Sequence, residues 1–352
     1  MGKNPGLKEK LIALKSDLPA QVLEEHFRLR PDMKAAYTGH QKMNFKNDVA
    51  WIISFLAESV WASEPALFEE FASWLRTFLA SVGVPMKDVA ESFDLLKSSL
   101  SDKLKPDEYE LTGSIIDLGK QRLLIPEEKT SIPAREMPQT DLAGKYLGFL
   151  LKGNRSSALS VILDEVKNGK PVRDIYLEVF QPVQYEIGRL WQTKKISVAQ
   201  EHFCTAATQL VMSQLYPYFF TGDRKEKKMV MTCVPGELHE MGARMVTDFL
   251  EMQGWDTYYL GANMPTNGVV KFISDSRPNF VAISATMTFH ISLVEEMIRQ
   301  IRSETCIPGK MKILVGGYPF KVAPGLWREI GADAFASDAT EAAGIAEEFV
   351  LT

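Results

Sequence analysis

From residue 228 onward, short β-rich segments alternate with amphipathic helical segments. The β-rich segments are KMVMTCV, DTYYLGA, NFVAISA, MKILVGG and ADAFAS, and apolar spacing predicts helices near 240–253, 266–276, 289–303 and 340–350. Strands that alternate with helices predict a parallel sheet covered by helices on both faces. We therefore expect a flavodoxin-like, Rossmann-like doubly wound sheet over 225–352. Such a sheet binds ligands at the carboxyl ends of its strands, near the point where the strand order reverses.

The residues before this sheet have helical patterns and divide into two regions. Segments such as DVAWIISFLAESVW and LFEEFASWLRTFLASVGV predict an all-helical domain over 1–122. Residues 141–224 predict about four helices, which is typical of a four-helix bundle. Between them, residues 123–140 are polar and contain Pro126, Pro133 and Pro138, so we interpret this segment as a linker.

Charge and composition exclude several classes of partner. The net charge is −5 and there is no long basic run, so we expect no direct contact with nucleic acid. We also expect no membrane-spanning segment, because no apolar run is long enough. Cys204, Cys233 and Cys306 are few and scattered, which favours a reducing cytoplasm over a disulfide framework or a zinc site.

Three short motifs fall at the predicted carboxyl ends of strands. The sequence ELHEMG follows the first strand, Ser284 and Thr286 end the third, and a Gly–Gly pair at 316–317 ends the fourth. A neutral imidazole at His239 suits a transition metal, and a carboxylate at Glu237 can hydrogen-bond the other ring nitrogen. Each motif alone is an ordinary loop feature, but the ordered set on a βα pattern is far more specific.

This ordered set, E-x-H-x-x-G followed by S-x-T and GG, resembles the cobalamin-binding domain of methionine synthase, corrinoid methyltransferase proteins and B12-dependent photoreceptor regulators. The resemblance covers about 140–352. It implies that His239 replaces the dimethylbenzimidazole base as the lower cobalt ligand and that Glu237 is its hydrogen-bond partner. Aspartate is the usual residue at the position of Glu237, and glutamate occurs in many of the regulators.

The resemblance also implies which residues surround the cofactor. The displaced nucleotide tail is expected in a slot lined by Gly242, Ser284, Thr286, Gly316 and Gly317. The sequence YLGANMP at 259–265 matches the LGxxxP loop of the family, which places Gly261, Asn263 and Met264 beside the corrin. The remaining expected contacts are Leu238, Glu240, Met241 and Val315.

A further motif lies in the predicted bundle. Trp191 is followed after nine residues by Glu201 and His202, a spacing that ordinary helix packing can also produce. Ahead of a cobalamin domain, it resembles the W-x9-E-H signature of photoreceptor-type caps, whose residues cover the upper corrin face and hold a 5′-deoxyadenosyl group. Some of these sensors carry histidine directly after the tryptophan. Here that residue is Gln192, so after photolysis water or His202 would have to serve as the upper ligand.

These features favour a light sensor that binds adenosylcobalamin and is not an enzyme. No nucleophile–base pair, phosphate-binding loop or substrate domain is evident in the sequence. The alternatives are a corrinoid protein that carries methyl groups for a methyltransferase system and a passive cobalamin store. Because no DNA-binding, kinase or cyclase motif is evident, we expect the signal to leave through a light-dependent homo-oligomer or a separate partner.

The first 122 residues admit two interpretations. One is a helical docking or oligomerisation domain. The other is an all-helical, globin-like domain with a second chromophore, because such a domain ahead of a B12 module resembles the photocobilins, which pair cobalamin with a bilin. No cysteine precedes Cys204, so biliverdin would be bound noncovalently. His26 and His40 are the only imidazoles in this region, and we expect His40, in YTGHQKMNF, to contact a propionate or pyrrole of the tetrapyrrole.

Overall fold

The protein is described by a computed structural model that covers residues 3–125, 141–219, 224–304 and 311–351. The chain forms two compact units, residues 1–131 (unit 1) and 132–352 (unit 2). The predicted linker at 123–140 lies outside the described residues except for its first three positions. The proposed domain boundaries stay predictions.

Unit 1 is entirely helical over its described residues. Its helices are α1 (Pro5–Ala13), α2 (Leu18–Leu29), α3 (Pro31–Ala36), α4 (Gly39–Ala62), α5 (Pro65–Ser81), α6 (Met86–Ser99) and α7 (Pro106–Leu124). Thr38 caps α4 by accepting a hydrogen bond from the backbone N–H of Gln41, whose side chain in turn accepts from the backbone of Thr38. Phe68 and Phe93 are fully buried between these helices. The predicted all-helical region is confirmed, and its likeness to a globin stays a prediction.

Unit 2 begins with a helical bundle. Its helices are α8 (Asp141–Leu151), α9 (Arg155–Lys167), α10 (Val172–Ile175), α11 (Gln181–Gln192) and α12 (Val198–Leu215). A π-helical turn at Tyr176–Phe180 joins α10 to α11, so the bundle has four helical rods, as the sequence predicts. Pro182 is the second residue after this turn. Because proline has no N–H and clashes with the carbonyl four residues earlier, it accounts for the local widening of the helix.

The rest of unit 2 is a five-stranded parallel sheet with helices between its strands. The elements are β1 (Lys228–Cys233), α13 (Met241–Met252), β2 (Asp256–Tyr259), α14 (Thr266–Ser276), β3 (Phe280–Ser284), α15 (Ile291–Ser303), β4 (Lys312–Gly316), α16 (Tyr318–Val322), α17 (Leu326–Glu329), β5 (Ala334–Ala336) and α18 (Ala339–Leu351). The strand order is β2-β1-β3-β4-β5. This is the flavodoxin-like order, so the predicted fold class is confirmed.

The strand register brings three loop starts to the same level. Cys233 at the end of β1 lies opposite Ser284 of β3, and Ser284 lies opposite Gly316 of β4. The strand order reverses at β1, because the chain crosses from β1 to β2 on one side and then to β3 on the other. Loops after β1 and β3 therefore diverge and leave a crevice at this edge of the sheet.

The bundle packs on the sheet domain through α13. Met245 and Phe249 of α13 belong to the same apolar core as the bundle residues. At this contact the hydroxyl of Tyr176, which lies in the π-helical turn, donates to Asp248 Oδ2 at 2.6 Å. Arg244 Nε donates to Asp248 Oδ1 at 2.9 Å. The bundle is thus held to the helix that begins at Met241, within the ELHEMG motif.

Candidate functional site

The ligand loop, residues 234–240, connects the end of β1 to the start of α13 at the crevice. Glu237 in this loop is fully buried, with 0% of its surface exposed. Its Oε1 accepts hydrogen bonds from the backbone N–H of His239 at 2.9 Å and from His239 Nδ1 at 2.6 Å. Its Oε2 accepts from the backbone N–H groups of Thr286 at 2.7 Å and Met287 at 2.9 Å, and from His290 Nδ1 at 3.0 Å. One buried carboxylate therefore receives hydrogen bonds from two imidazoles and three backbone amides.

This arrangement favours the ionised carboxylate. Burial alone would raise the pKa of Glu237, but hydrogen bonds from His239, His290 and backbone N–H groups offset that effect and hold the pKa well below its usual range. The hydrogen bond to Glu237 in turn raises the pKa of His239. With the carboxylate ionised, we assign the ring proton of each histidine to Nδ1. The neutral form of His239 then carries its lone pair on Nε2.

His239 is held at one ring nitrogen and open at the other side. Its side chain is 58% exposed although its partner Glu237 is fully buried. The neighbouring Leu238 is 71% exposed, which is unusual for a leucine and leaves an apolar side chain beside the imidazole. An anchored, exposed imidazole next to apolar surface fits the lower ligand of a cobalt ion that a corrin ring carries into the site.

The loop after β2 supports the ligand loop from the opposite side. Asn263 accepts a hydrogen bond from the backbone N–H of Gly236 at 2.7 Å through its side-chain oxygen, and its own N–H donates to the Glu237 carbonyl at 2.9 Å. The N–H of Met264 and the carbonyl of Gly261 bond to Cys233 at the end of β1. The structure therefore gives these three predicted cofactor contacts a place against the ligand loop. Their contact with a corrin stays a prediction.

The other predicted slot residues lie at the same edge of the sheet. Ser284 ends β3 and is 7% exposed, and Val315 is fully buried within β4. Gly242 in the first turn of α13 is exposed, and a Cβ added there would meet no atom within 4 Å. Open space beside Gly242 fits a long group that runs along the loop ends, as the slot prediction requires.

Gly316 is the last residue of β4 and Gly317 begins the loop after it, and the two differ in their surroundings. Gly317 has φ 119°, and a Cβ there would lie 1.9 Å from the carbonyl oxygen of Ala285. A Cβ at Gly316 would lie 3.4 Å from the carbonyl oxygen of Ala336. Only glycine permits the close approach of the chain at 317 to the end of β3.

Glu240 links the ligand loop to the bundle. Its Oε1 accepts from Gln209 Nε2 of α12 at 2.7 Å, and its Oε2 accepts from Tyr259 Oη at 2.9 Å and from the N–H of Ala262 at 3.1 Å. Met241, the next residue, packs against the bundle core. The residue that follows His239 is therefore bonded to the bundle, to β2 and to the loop after β2.

The predicted cap residues lie on α11 and α12. Trp191 packs against the bundle core, and Glu201 Oε2 lies 3.0 Å from Nδ1 of the exposed His202. Glu201 is close enough to His239 for its charge to contribute to the raised pKa of that imidazole. Gln192 is 1% exposed, so the residue directly after the tryptophan points into the protein interior.

Three functional candidates were not singled out in the sequence. They are His290, Gln209 and Gly236. His290 and Gln209 contact the ligand loop from other elements, and Gly236 is part of the loop itself. His290 lies in the segment between β3 and α15, and the other motifs also follow strand ends, so its position is a signal that could have drawn attention to it. Gln209 carries no comparable signal, because its contact depends on how α12 packs.

The two histidines of unit 1 that could contact a bilin differ in their exposure. His26 is 1% exposed, and its ring lies 5.3 Å from the ring of Phe45 in a stacked arrangement, with Phe27 and Tyr37 nearby. His40 is exposed in the first turn of α4. Bilin binding stays a prediction for this unit.

Comparison with known proteins also indicates that unit 2 binds cobalamin. Residues 227–346 and residues 142–216 each match a B12 binding domain family. The dimethylamine corrinoid protein 2 of Methanosarcina mazei is 31% identical over 119 residues, which are 34% of this chain and 54% of that protein. The HTH-type transcriptional repressor CarH of Myxococcus xanthus is 27% identical over 160 residues, or 45% of this chain and 52% of that protein. The chain thus spans about half the length of these two relatives.

A solved structure supports the fold. The monomethylamine corrinoid protein of Methanosarcina barkeri is 23% identical and superposes with a TM-score of 0.53 over 59% of this chain and 98% of its own chain. About two fifths of this chain therefore has no counterpart in that protein. Among the described residues, no helix is both long and apolar enough to span a bilayer. The bundle and the sheet of unit 2 are the two B12-binding domains of a cobalamin-binding protein.

Proposed function

We propose that this protein is a light sensor that binds adenosylcobalamin, with His239 in place of the dimethylbenzimidazole base as the lower ligand of cobalt. Adenosylcobalamin supplies a bond between cobalt and carbon that visible light breaks. The protein supplies the anchored imidazole below the corrin and the bundle above it. Trp191, Glu201 and His202 are the residues proposed to contact the adenosyl group.

The observation that carries this proposal is the polar face of α12. Glu201, Thr205 and Gln209 recur at helical spacing of four and lie on one face of this helix. Thr205 Oγ1 is 3.1 Å from Glu201 Oε1, Gln209 bonds to Glu240, and the charge of Glu201 acts on His239. A single helix face is thus turned toward both the ligand loop and the space where an upper ligand would lie.

This arrangement offers a route from the cofactor to the bundle. A ligand shifts a conformational equilibrium only through contacts that differ between the two states. Loss of an adenosyl group would remove contacts with Glu201 and His202 on α12, while Gln209 on the same helix remains bonded to Glu240. Displacement of α12 would then act on the interfaces that the bundle makes, which we propose as the origin of a light-dependent change in homo-oligomeric state.

The alternative is a corrinoid protein that carries methyl groups for a methyltransferase. Its support is the similarity to a dimethylamine corrinoid protein at 31% identity, which exceeds the 27% identity to the CarH repressor. A methyl carrier needs a cap that moves away so that donor and acceptor reach the cobalt. It would bind methylcobalamin productively and lose the methyl group to a partner thiol, with no effect of light.

The test compares the mass of the full-length protein in the dark and after green light, after reconstitution with adenosylcobalamin. We expect a lasting change in the absorption spectrum together with a change in oligomeric mass by size-exclusion chromatography with light scattering. A spectral change without any change in mass would favour a passive cobalamin store. Demethylation by a partner thiol with no response to light would favour the methyl carrier.

Two variants sharpen this test. Gln209→Leu removes the hydrogen bond to Glu240 and should reduce the mass change while leaving the spectral change intact. Ser213→Ala, one turn further along α12, is the matched control, because Ser213 is exposed and its hydroxyl donates to the carbonyl of Gln209 within the same helix. Equal mass changes in both variants would argue against the route through Glu240.

The role of unit 1 in the sensor is proposed separately. We propose that noncovalent biliverdin is a second chromophore of this unit, with His40 as its contact. His40 is exposed, whereas His26 is 1% exposed and already enclosed by aromatic side chains. Co-expression with a source of biliverdin should yield a far-red-absorbing pigment that is lost on denaturation. A protein that takes up no tetrapyrrole except cobalamin would leave unit 1 as a docking or oligomerisation domain.

A further inference from the structure

His290 shares the buried carboxylate of Glu237 with His239, although the two histidines are 51 positions apart in the sequence. It precedes α15 in a short turn at Thr288–His290, and its side chain is 7% exposed. Its Nδ1 lies 3.0 Å from Glu237 Oε2, the oxygen that does not contact the His239 ring. The imidazole is thus placed behind the carboxylate, on the side away from the proposed cobalt ligand.

The length of the glutamate side chain explains why a second anchor is needed. Glutamate has one more rotatable bond than aspartate, so its carboxylate can take more orientations. Oε2 is fixed by Thr286 N–H, Met287 N–H and His290 Nδ1, which leaves Oε1 directed at His239. In the described part of the protein, His290 is the only residue whose side chain bonds to Oε2.

The backbone next to the glutamate accommodates this imidazole. Gly236 has φ 79°, and a Cβ built there would lie 3.1 Å from His290 Nε2. A larger residue at this position would be strained by its backbone conformation and would crowd the ring. The same glycine donates its N–H to Asn263, so the ligand loop is held from the β2 side and the β3 side at once.

We propose that His290 is a positioning residue for the cobalt ligand: it holds the Glu237 carboxylate, and through it the ring of His239, in the orientation that ligates cobalt. This inference rests on cobalamin being bound through His239, as in the proposed function. Loss of a group that bonds a metal ligand directly, here Glu237, typically changes metal affinity by 10–100-fold. His290 acts one step further out, through Glu237, so we expect an effect at the lower end of that range. His290 is assigned no contact with the cofactor, because its side chain is buried against Glu237.

The test uses two variants that keep a polar side chain. Asparagine places its amide nitrogen near the position of Nδ1, whereas glutamine places it near Nε2. We therefore expect His290→Asn to retain the ligation of cobalt by His239 and His290→Gln to weaken it by up to about tenfold. A merely structural role would not make the two amides differ in this direction.

The readout is the electron paramagnetic resonance spectrum of bound cobalamin reduced to cobalt(II), in protein whose histidines carry the heavy nitrogen isotope. Hyperfine splitting from the labelled nitrogen reports the fraction of cobalt ligated by a protein imidazole. The apoprotein melting temperature of each variant is measured alongside. Loss of the labelled splitting in His290→Gln and its retention in His290→Asn support the proposal, and equal splitting in the two variants overturns it.

Wild type and His239→Ala separate this inference from the proposed function. Labelled splitting in the wild type that disappears in His239→Ala shows that His239 is the ligand, whatever the His290 variants do. If the wild type itself shows no labelled splitting, ligation through His239 fails, and the inference about His290 fails with it. If ligation holds but both His290 variants behave as the wild type, the positioning role alone is wrong.

Discussion

Gly317 allows the chain after β4 to approach the end of β3 closely, because it adopts a backbone conformation that other residues rarely adopt. Its φ is 119°, and its α-carbon faces the carbonyl oxygen of Ala285 so closely that an added Cβ would lie 1.9 Å away. Neither backbone can move far, because the strands that precede both residues are paired in the parallel sheet. The glycine at 317 is therefore a requirement of the fold at the edge where the candidate site lies.

Gly317→Ala should destabilise unit 2 strongly. We expect the free energy of unfolding to fall by roughly 3 kcal/mol, from backbone strain and from the clash with Ala285. Gly316→Ala is the control, because the nearest atom to its Cβ would be 3.4 Å away. Urea unfolding of the apoprotein would contradict this account if the two variants lost equal stability.

The residues of the site differ in how far the sequence could reveal them. Glu237 and His239 lie two residues apart in one loop, so their pairing could be predicted from local sequence and family resemblance. The contact of Glu237 with His290 is formed between the ends of two neighbouring strands, and no local pattern records it. Exposure of Leu238 and burial of Gln192 likewise depend on tertiary packing, which sequence periodicity does not resolve.

At the scale of elements, the joint between the bundle and α13 contains a buried charged group. Asp248 is 3% exposed, with Tyr176 and Arg244 as its hydrogen-bond partners. Burial is the largest influence and raises the pKa of Asp248 from 3.8 to about 6, although both partners act in the opposite direction. The stability of the joint should therefore depend on pH.

The sign of this dependence follows from the raised pKa. The folded protein keeps the proton on Asp248 at pH values where the unfolded chain has lost it, so its contribution to stability is complete below pH 3.8 and is lost as pH rises through about 6. Asp248→Asn should remove this loss. The unfolding free energy of the wild type minus that of the variant should thus fall by up to about 3 kcal/mol as pH rises over this range.

A surface carboxylate provides the control for this measurement. Asp275 pairs with Lys271 on α14 and is 66% exposed, so Asp275→Asn should leave the pH dependence of unfolding as in the wild type. Chemical denaturation at pH values from 4 to 7 measures all three proteins. A constant difference between wild type and Asp248→Asn over this range would contradict the account of the joint.

The elements themselves were largely predictable, with exceptions that have a physical reason. All five strands and the long helices between them follow from alternating β-rich and amphipathic segments. The strands β2 and β5, with four and three residues, are indicated by their β-rich composition and their place in this alternation. The helices α16 and α17 have five and four residues and are too short to show one. The π-helical turn before Pro182 is a response of the backbone to proline and leaves the apolar spacing almost unchanged.

At the scale of the whole molecule, unit 2 contains both B12-binding domains and the complete ligand loop, while unit 1 is a separate helical unit. The proposed sensor therefore divides its tasks. Unit 2 binds the corrinoid between the bundle and the sheet edge, and unit 1 supplies a second chromophore or an interaction surface. The proposed role of unit 2 depends on the cofactor being held through His239.

The most direct test of this central claim is the stoichiometry and spectrum of corrinoid bound to the full chain. We expect wild-type protein incubated with adenosylcobalamin in the dark to retain about one equivalent per chain after gel filtration. Its spectrum should be that of cobalamin whose own base is replaced by a protein imidazole. His239→Ala should bind more weakly or show the spectrum of cobalamin without a lower nitrogen ligand. Wild-type protein that retains no corrinoid, or a His239→Ala variant with the wild-type spectrum and affinity, would contradict the account.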